Sequence, residues 1–215
     1  MIRVGILDSG IGGDAAARVV AHTSFPAIED AARDRLGHGS AIANIILERV
    51  PHCELLDARV FRAALRCSAN AAAEGIDWLV GAGAQLINLS LGLRADRPAL
   101  RAACARAIEA RVLLVAAVPA RGAAVYPGAY PGVLRATGDA RCAPDEISHL
   151  ATAQADFGGC VRDAEPGSAG ASIGCAHVAA ALAAILAAQP GIDAAAAVAA
   201  LARAARYVGP ERRSR

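Results

Sequence analysis

Val4-Gly5-Ile6-Leu7-Asp8-Ser9-Gly10 is a short aliphatic run that stops on an acid followed by Ser and Gly. Its length and its closing residues predict a strand over Arg3 to Leu7, with Asp8 at the carboxyl end, where open α/β sheets place their sites. Runs of the same kind recur at Cys53 to Val60, Leu86 to Ser90, Val112 to Val118 and Val133 to Thr137. Between and after them lie longer stretches of helical character, many rich in Ala: His38 to Arg49, Ser68 to Ala82, Pro98 to Ala110, Ser172 to Gln189 and Ile192 to Tyr207. Near-continuous apolar strands alternating with helices predict an α/β fold. Its form is a three-layer, doubly wound, mostly parallel central sheet with helices on both faces.

The 215 residues suit one domain spanning 1–215, and no linker or internal repeat argues for a second. Apolar residues make up 55% and aromatics only 3%, so the core must come from aliphatic strands and closely packed Ala helices. The 22 basic and 20 acidic residues are spread along the chain, which leaves no footprint for nucleic acid or an anionic membrane. The Arg-rich end, Arg212-Arg213-Ser214-Arg215, reads as a frayed tail. Lysine is absent throughout, which excludes a Lys Schiff base and a Walker-type Lys. The six cysteines form no C-x-x-C pair and no cluster with zinc spacing, so buried free thiols, no metal and no cofactor are expected. The opening strand-like run has no signal-peptide character, and the longest apolar stretch, Val178 to Ala188, is too short to span a bilayer. A cytoplasmic protein with reduced cysteines is the expectation. Three long segments, Gly10 to Gly37, Ala120 to Gly132 and Gly138 to Gly170, read as loops of functional length.

Three short motifs carry candidate chemistry. Asp8 closes the first strand, although an Asp there is commonly a turn or cap residue. Gly37-His38-Gly39-Ser40 opens an apolar helix, and the flanking glycines leave the imidazole uncovered, as a general base requires. Gly170-Ala171-Ser172-Ile173-Gly174 surrounds a Ser with small residues, which suits an exposed nucleophile and equally suits a helix N-cap. The spacing G-x-S-x-G also fits α/β-hydrolases, but their Asp and His follow the Ser, and no suitable pair follows Ser172.

With Asp, His and Ser in that order the chain resembles the subtilases, whose member subtilisin has this order. Asp8-Ser9-Gly10, His38-Gly39-Ser40, Ile87-Asn88-Leu89-Ser90-Leu91-Gly92, Tyr126-Pro127 through Tyr130-Pro131-Gly132-Val133, and Gly170-Ala171-Ser172 with His177-Val178-Ala179 look like that family's landmarks, collinear over nearly the whole chain. The resemblance implies a serine endopeptidase with Asp8, His38 and Ser172 as catalytic triad and an acyl-enzyme on Ser172. It implies a peptide or precursor-peptide substrate added as a β-strand along Ser90, Leu91 and Gly92, with Ala64, Leu65 and Arg66 as the opposing edge. Val125, before Tyr126, is expected to narrow the pocket for the residue preceding the scissile bond.

Departures from the family pattern bear on the chemistry. Ala120 stands where the family supplies an Asn to the oxyanion hole, a donor whose loss costs about 2.7 to 4 kcal/mol in subtilisin itself. Asn88 and Arg121 are the candidate substitutes. Ala176 replaces a customary Pro four residues after the Ser, which makes acyl transfer to an amine conceivable. No calcium-binding insertion separates the helix after His38 from Cys53 to Val60, and the small size resembles intracellular enzymes that trim precursor peptides.

Two other readings stand beside this one. A degenerate subtilase would bind a peptide or partner protein without cleaving it, as the missing Asn suggests. A glutamate-racemase-like enzyme would use Cys67 and Cys175, because Asp8-Ser9-Gly10-Ile11-Gly12-Gly13 and Gly174-Cys175-Ala176-His177 resemble racemase motifs. That reading leaves the His38 motif and the Tyr-Pro segment unexplained.

Overall fold

A computed structural model describes residues 1–27, 34–161 and 170–211. The Arg-rich end and parts of two of the expected loops lie outside the described residues.

The first strand, β1 (Arg3–Asp8), is buried from its second residue onward, as an aliphatic strand covered on both faces must be. A 3-10 turn (Gly13–Arg18) leads into β2 (Val19–Ser24), and α1 (His38–Arg49) follows. Then β3 (Glu54–Arg59), α2 (Ala69–Gly81), β4 (Leu86–Leu89), α3 (Pro98–Glu109) and β5 (Leu113–Ala117) alternate as the aliphatic runs foretold. The remaining elements are β6 (Leu134–Gly138), β7 (Ile147–His149), β8 (Phe157–Gly159), α4 (Gly170–Ala188), α5 (Ala194–Ala204) and β9 (Tyr207–Val208). Local chemistry fixes the helix starts. Ser68 caps α2 by accepting from the Ala71 N–H, Pro98 occupies the first turn of α3, and Asp193 caps α5 through the Ala196 N–H.

Among the described residues the strands form one nine-stranded sheet in the order β2-β3-β1-β4-β5-β6-β8-β7-β9, parallel except for the β7/β8 pair. The doubly wound, mostly parallel α/β architecture is therefore as the sequence predicts. Differences fall at the edges. β2, β7 and β8 lie inside segments read as loops, because they are short or alternate in burial and carry no aliphatic run. The expected last helix stops at Ala204, and Tyr207–Val208 pairs with β7 instead. The apolar helix is also longer than the run Val178 to Ala188 suggested. At 19 residues α4 is long and apolar enough to cross a membrane by length and composition, but 67% of its most apolar window is buried inside the protein, so it is the core helix of this fold.

The sheet separates two apolar clusters. One gathers Ile42, Ile46, Ile173, Val178 and Leu182 of α1 and α4 against Val4 and Ile6. The other gathers Ile76, Leu79, Leu100 and Ala103 of α2 and α3 with Leu7, Phe61 and Leu91. Gly5 lets the sheet pack closely, since a Cβ there would stand 3.0 Å from the Leu79 side chain. The parallel registers Leu7 to Leu89 and Asp8 to Arg59 bring the carboxyl ends of β3, β1 and β4 side by side, where the candidate residues collect.

Candidate active site

Asp8 is fully buried at the end of β1. Its Oδ1 accepts the Ser9 N–H at 2.7 Å and lies 2.8 Å from Nδ1 of His38, while Oδ2 has no protein partner. His38 is the first residue of α1 and is held there by its surroundings. Gly37 takes φ +73°, the left-handed region that glycine tolerates, and Gly39 sits so close to the chain after β1 that a Cβ would fall 2.2 Å from the Gly10 carbonyl oxygen. The Ser9 hydroxyl accepts the Gly39 N–H at 2.9 Å, which ties the helix start to the strand end.

Asp34, a residue the motif reading missed, caps this helix. One oxygen accepts the N–H groups of Leu36 and Gly37, and the other accepts the N–H and hydroxyl of Ser40. Burial would raise this carboxyl, but its hydrogen bonds from Ser40, Ser9 and Gly37 outweigh burial and hold it below its ordinary value. Burial likewise pushes His38 down, yet the hydrogen bond and charge of Asp8, with the charge of Asp34, raise it above the ordinary histidine value. An acid three residues before a Gly-His pair is the N-terminal helix signal that could have disclosed Asp34.

A second missed acid is Asp57, buried on β3. Its Oδ2 accepts the Ile11 N–H at 3.0 Å and its Oδ1 has no partner. Burial, with the charges of Asp8 and Asp34, pushes it up to about 7 against the Ile11 N–H and the charge of Arg59. An acid inside an otherwise apolar strand run was the available signal.

Ser172 lies in the first turn of α4 and is 5% exposed. It lines a cavity of about 540 Å³ together with Leu65, Arg66, Ser90, Leu91, Gly92 and Val125. The proposed nucleophile and both expected substrate edges thus meet in one cavity, except that Ala64 is exposed and is not in its lining. Residues 62–65 form bends followed by an Arg66 N–H to Ala64 carbonyl bond, and 64–66 is not a strand. Nε2 of His38 is buried without a hydrogen-bond partner, so no bond joins it to Ser172. Such bonds commonly tighten only when substrate is present.

The oxyanion candidates are dispersed. Ala120 is exposed and lines a separate cavity of about 580 Å³ with Arg121, Thr137 and Asp139. Asn88 is fully buried, its amide donating to the Ser90 hydroxyl at 2.9 Å and its oxygen accepting from the Cys175 thiol at 3.3 Å. Of these bonds, the one to Cys175 ties β4 to α4. Val125 borders the Ser172 cavity and also a smaller one of about 190 Å³ that contains Arg135 and Gln154, so it stands as a wall between the two.

The thiol chemistry of a racemase is not assembled. Cys67 is half-buried in the Ser172 cavity, whereas Cys175 is fully buried and bonded to Asn88, and burial raises both thiols. Among the described residues no group of three or more His, Cys, Asp or Glu could hold a metal ion.

Residues 2–147 match the Subtilase family. The chain belongs to the subtilase family. A thermostable alkaline protease of Halalkalibacterium halodurans is 32% identical over 143 residues, 61% of this chain and 40% of that protein. This subtilase spans 35 to 40% of the length of the first curated relatives it matches. In fold it is similar to a cold adapted subtilisin-like serine proteinase, with a TM-score of 0.76 at 18% identity over 96% of this chain and 84% of the other. The protease domain of PatA is similar with a TM-score of 0.67 at 25% identity, over 87% and 80%. Ser172 lies beyond the family-matched residues, and the cavity it shares with Ser90 to Gly92 is lined by neither Asp8 nor His38.

Proposed function

We propose that the chain is a serine endopeptidase that cuts peptide bonds through an acyl-enzyme on Ser172. The observation that carries this reading is the buried Asp8–His38 pair at 2.8 Å, with the outer imidazole nitrogen left unpartnered. His38 takes the Ser172 proton as the hydroxyl attacks the peptide carbonyl, and Asp8 orients the ring and stabilises its cation. The same proton then goes to the departing amine. Membership of the subtilase family and the likeness to proteases support the reaction class.

The substrate is a specific peptide or precursor peptide, laid as an added strand between Ser90–Leu91–Gly92 and the 64–66 rim. Val125 limits the residue before the cut to a small side chain, since it packs 3.3 Å from the place a Cβ on Gly92 would take. Mass-spectrometric mapping of a peptide library tests the reading. Cleavage by the wild type and none by Ser172→Ala is the expected result, and ligated products in the presence of an amine would add acyl transfer. Failure of Ser172 to react with an active-serine phosphonate, together with no cleavage, would overturn it.

One observation favours a second reading. Ala120 supplies no side-chain donor, and Asn88 is committed elsewhere. Peptide binding without turnover in the wild type would support a subtilase that acts as a peptide-binding or partner protein.

A further inference from the structure

Arginines crowd the carboxyl ends of the three strands around the Ser172 cavity. The segment after β3 carries Arg62 and Arg66, that after β4 carries Arg94 and Arg97, and that after β5 carries Arg121. All five are exposed, and none makes an ion pair or side-chain hydrogen bond among the described residues. The one acid on these segments, Asp96, is already engaged by Arg101 and by the Tyr130 hydroxyl. Of the chain's 22 basic and 20 acidic residues, five basic and one acidic stand here, so the remainder of the chain is net acidic. Five basic residues against one acid make the rim locally positive.

Placement ties the rim to the cleft. Arg66 itself lines the Ser172 cavity, Arg94 follows the lining residue Leu93, and Arg121 stands two residues after the lining residue Pro119. Leu93 and Tyr126 exchange backbone hydrogen bonds at 2.7 and 2.9 Å, which joins the segment of Arg94 to that of Arg121. Since β3, β1, β4 and β5 are sheet neighbours, these segments begin within roughly 15 Å of one another at about 4.8 Å per strand. The arginine segments after β3 and β4 begin about 10 Å apart and those after β4 and β5 about 5 Å apart, so neighbouring segments, though not the outermost pair, lie within the screening length of about 10 Å at 0.1 M salt.

Resting on the peptidase reading, we propose that the substrate is an acidic peptide, carrying at least two Asp or Glu residues in the stretch that lies between the 64–66 and 90–92 rims. A strand added there passes Arg66 on one side and the Arg94 and Arg97 segment on the other. Alternate side chains of the strand point away from the sheet plane and toward solvent, where an exposed guanidinium reaches a carboxylate. Such rim contacts favour capture and selectivity more than tight binding.

The test uses peptides alike except for acidic, neutral or basic residues upstream of a common cleavable bond. Cleavage by the wild type and binding to Ser172→Ala, followed by fluorescence anisotropy, are measured in parallel. The acidic peptide is expected to be cut about tenfold more efficiently than the neutral one at low salt, with the preference fading near 1 M salt, where screening acts over about 3 Å. The double variant Arg66→Glu/Arg94→Glu is expected to reverse the order. Equal cleavage of all three peptides overturns the inference and leaves the peptidase reading intact. Acid-selective binding to Ser172→Ala with no cleavage by the wild type overturns the peptidase reading and keeps only the rim's preference for an acidic peptide, as a ligand and not a substrate. Protection of the rim arginines by an oligonucleotide, with no discrimination among peptides, assigns the rim to nucleic acid and overturns it.

Discussion

Asp34 and Ser40 are joined twice, the carboxylate accepting the serine N–H at 2.9 Å and its hydroxyl at 2.7 Å. Through this clasp an acid sits at the positive end of the helix that begins with His38, where its charge both steadies the helix and raises the imidazole.

Replacing Asp34 by Asn keeps much of the capping and removes the charge. Under the proposed function His38 is a base that works when neutral, so activity should rise with pH through the His38 value. Asp34→Asn lowers that value and should move the acid limb of the pH–rate profile to lower pH. The stability Asp34 adds is present above 3.8 and lost as pH falls through its depressed folded value, so the variant should also be less sensitive to acid. An unmoved limb would show that the Asp34 charge does not reach His38.

Asp57 has the opposite linkage. Its folded value near 7 lies above the ordinary 3.8, so the folded protein holds the proton through that interval. Stability should fall as pH rises from about 4 to about 7 and then level off, by roughly 2 to 4 kcal/mol. Thermal melts from pH 5 to 8 should show this slope reduced in Asp57→Asn, leaving a smaller one from His38, whose raised value is likewise a stabilisation lost with rising pH. Identical slopes in both proteins would refute the assignment.

At Gly39 a methyl group meets the Gly10 carbonyl oxygen at 2.2 Å and the Asp8 Cβ at 3.2 Å. Gly39→Ala must push α1 from β1. A cost of about 1 to 3 kcal/mol and, under the proposed function, a loss of about 100-fold in kcat should follow. Gly81→Ala is the control, because nothing stands within 4 Å of that Cβ at the end of α2. It should melt no lower than the wild type, and comparable damage at both sites would rule out the contact as the cause.

Of the six thiols only Cys67 is not buried. A neutral maleimide should give a single adduct there, slowly at neutral pH because burial pushes that thiol up to about 11. The rate should climb about tenfold per pH unit as the thiolate fraction grows. Because Cys67 lines the Ser172 cavity, the adduct should also slow phosphonate labelling of Ser172. Adducts at several cysteines, identified by peptide mapping, would contradict the burial pattern.

The central strands and their crossover helices were legible because each is an aliphatic run or an Ala-rich helix with a clear cap, as with Ser68 before α2 and Asp193 before α5. β7, β8 and β9 were not, since they have two or three residues each and owe their pairing to neighbours distant in sequence. At the candidate site, Asp8 and His38 meet as their motifs suggested, while Ser172 was singled out by its small neighbours. Asp34 and Asp57 did not, because their importance lies in what they touch: the N–H groups of a helix start and the Ile11 N–H. The commitment of Asn88 to Ser90 and Cys175 was equally hidden, being a contact between β4 and α4 made only on folding.

The sheet keeps two interiors apart, and the residues around the cleft divide along that line. His38 and Ser172 ride on helices whose apolar sides fill one interior, while Phe61 and Leu91, which border the cleft, are rooted in the other with α2 and α3. Under the proposed function, grip and chemistry are therefore anchored in different interiors. Repacking beneath α2 and α3 can reshape what the cleft holds while the proton-handling groups keep their footing, so selectivity in this scaffold is free to drift, or to be redesigned, one interior at a time.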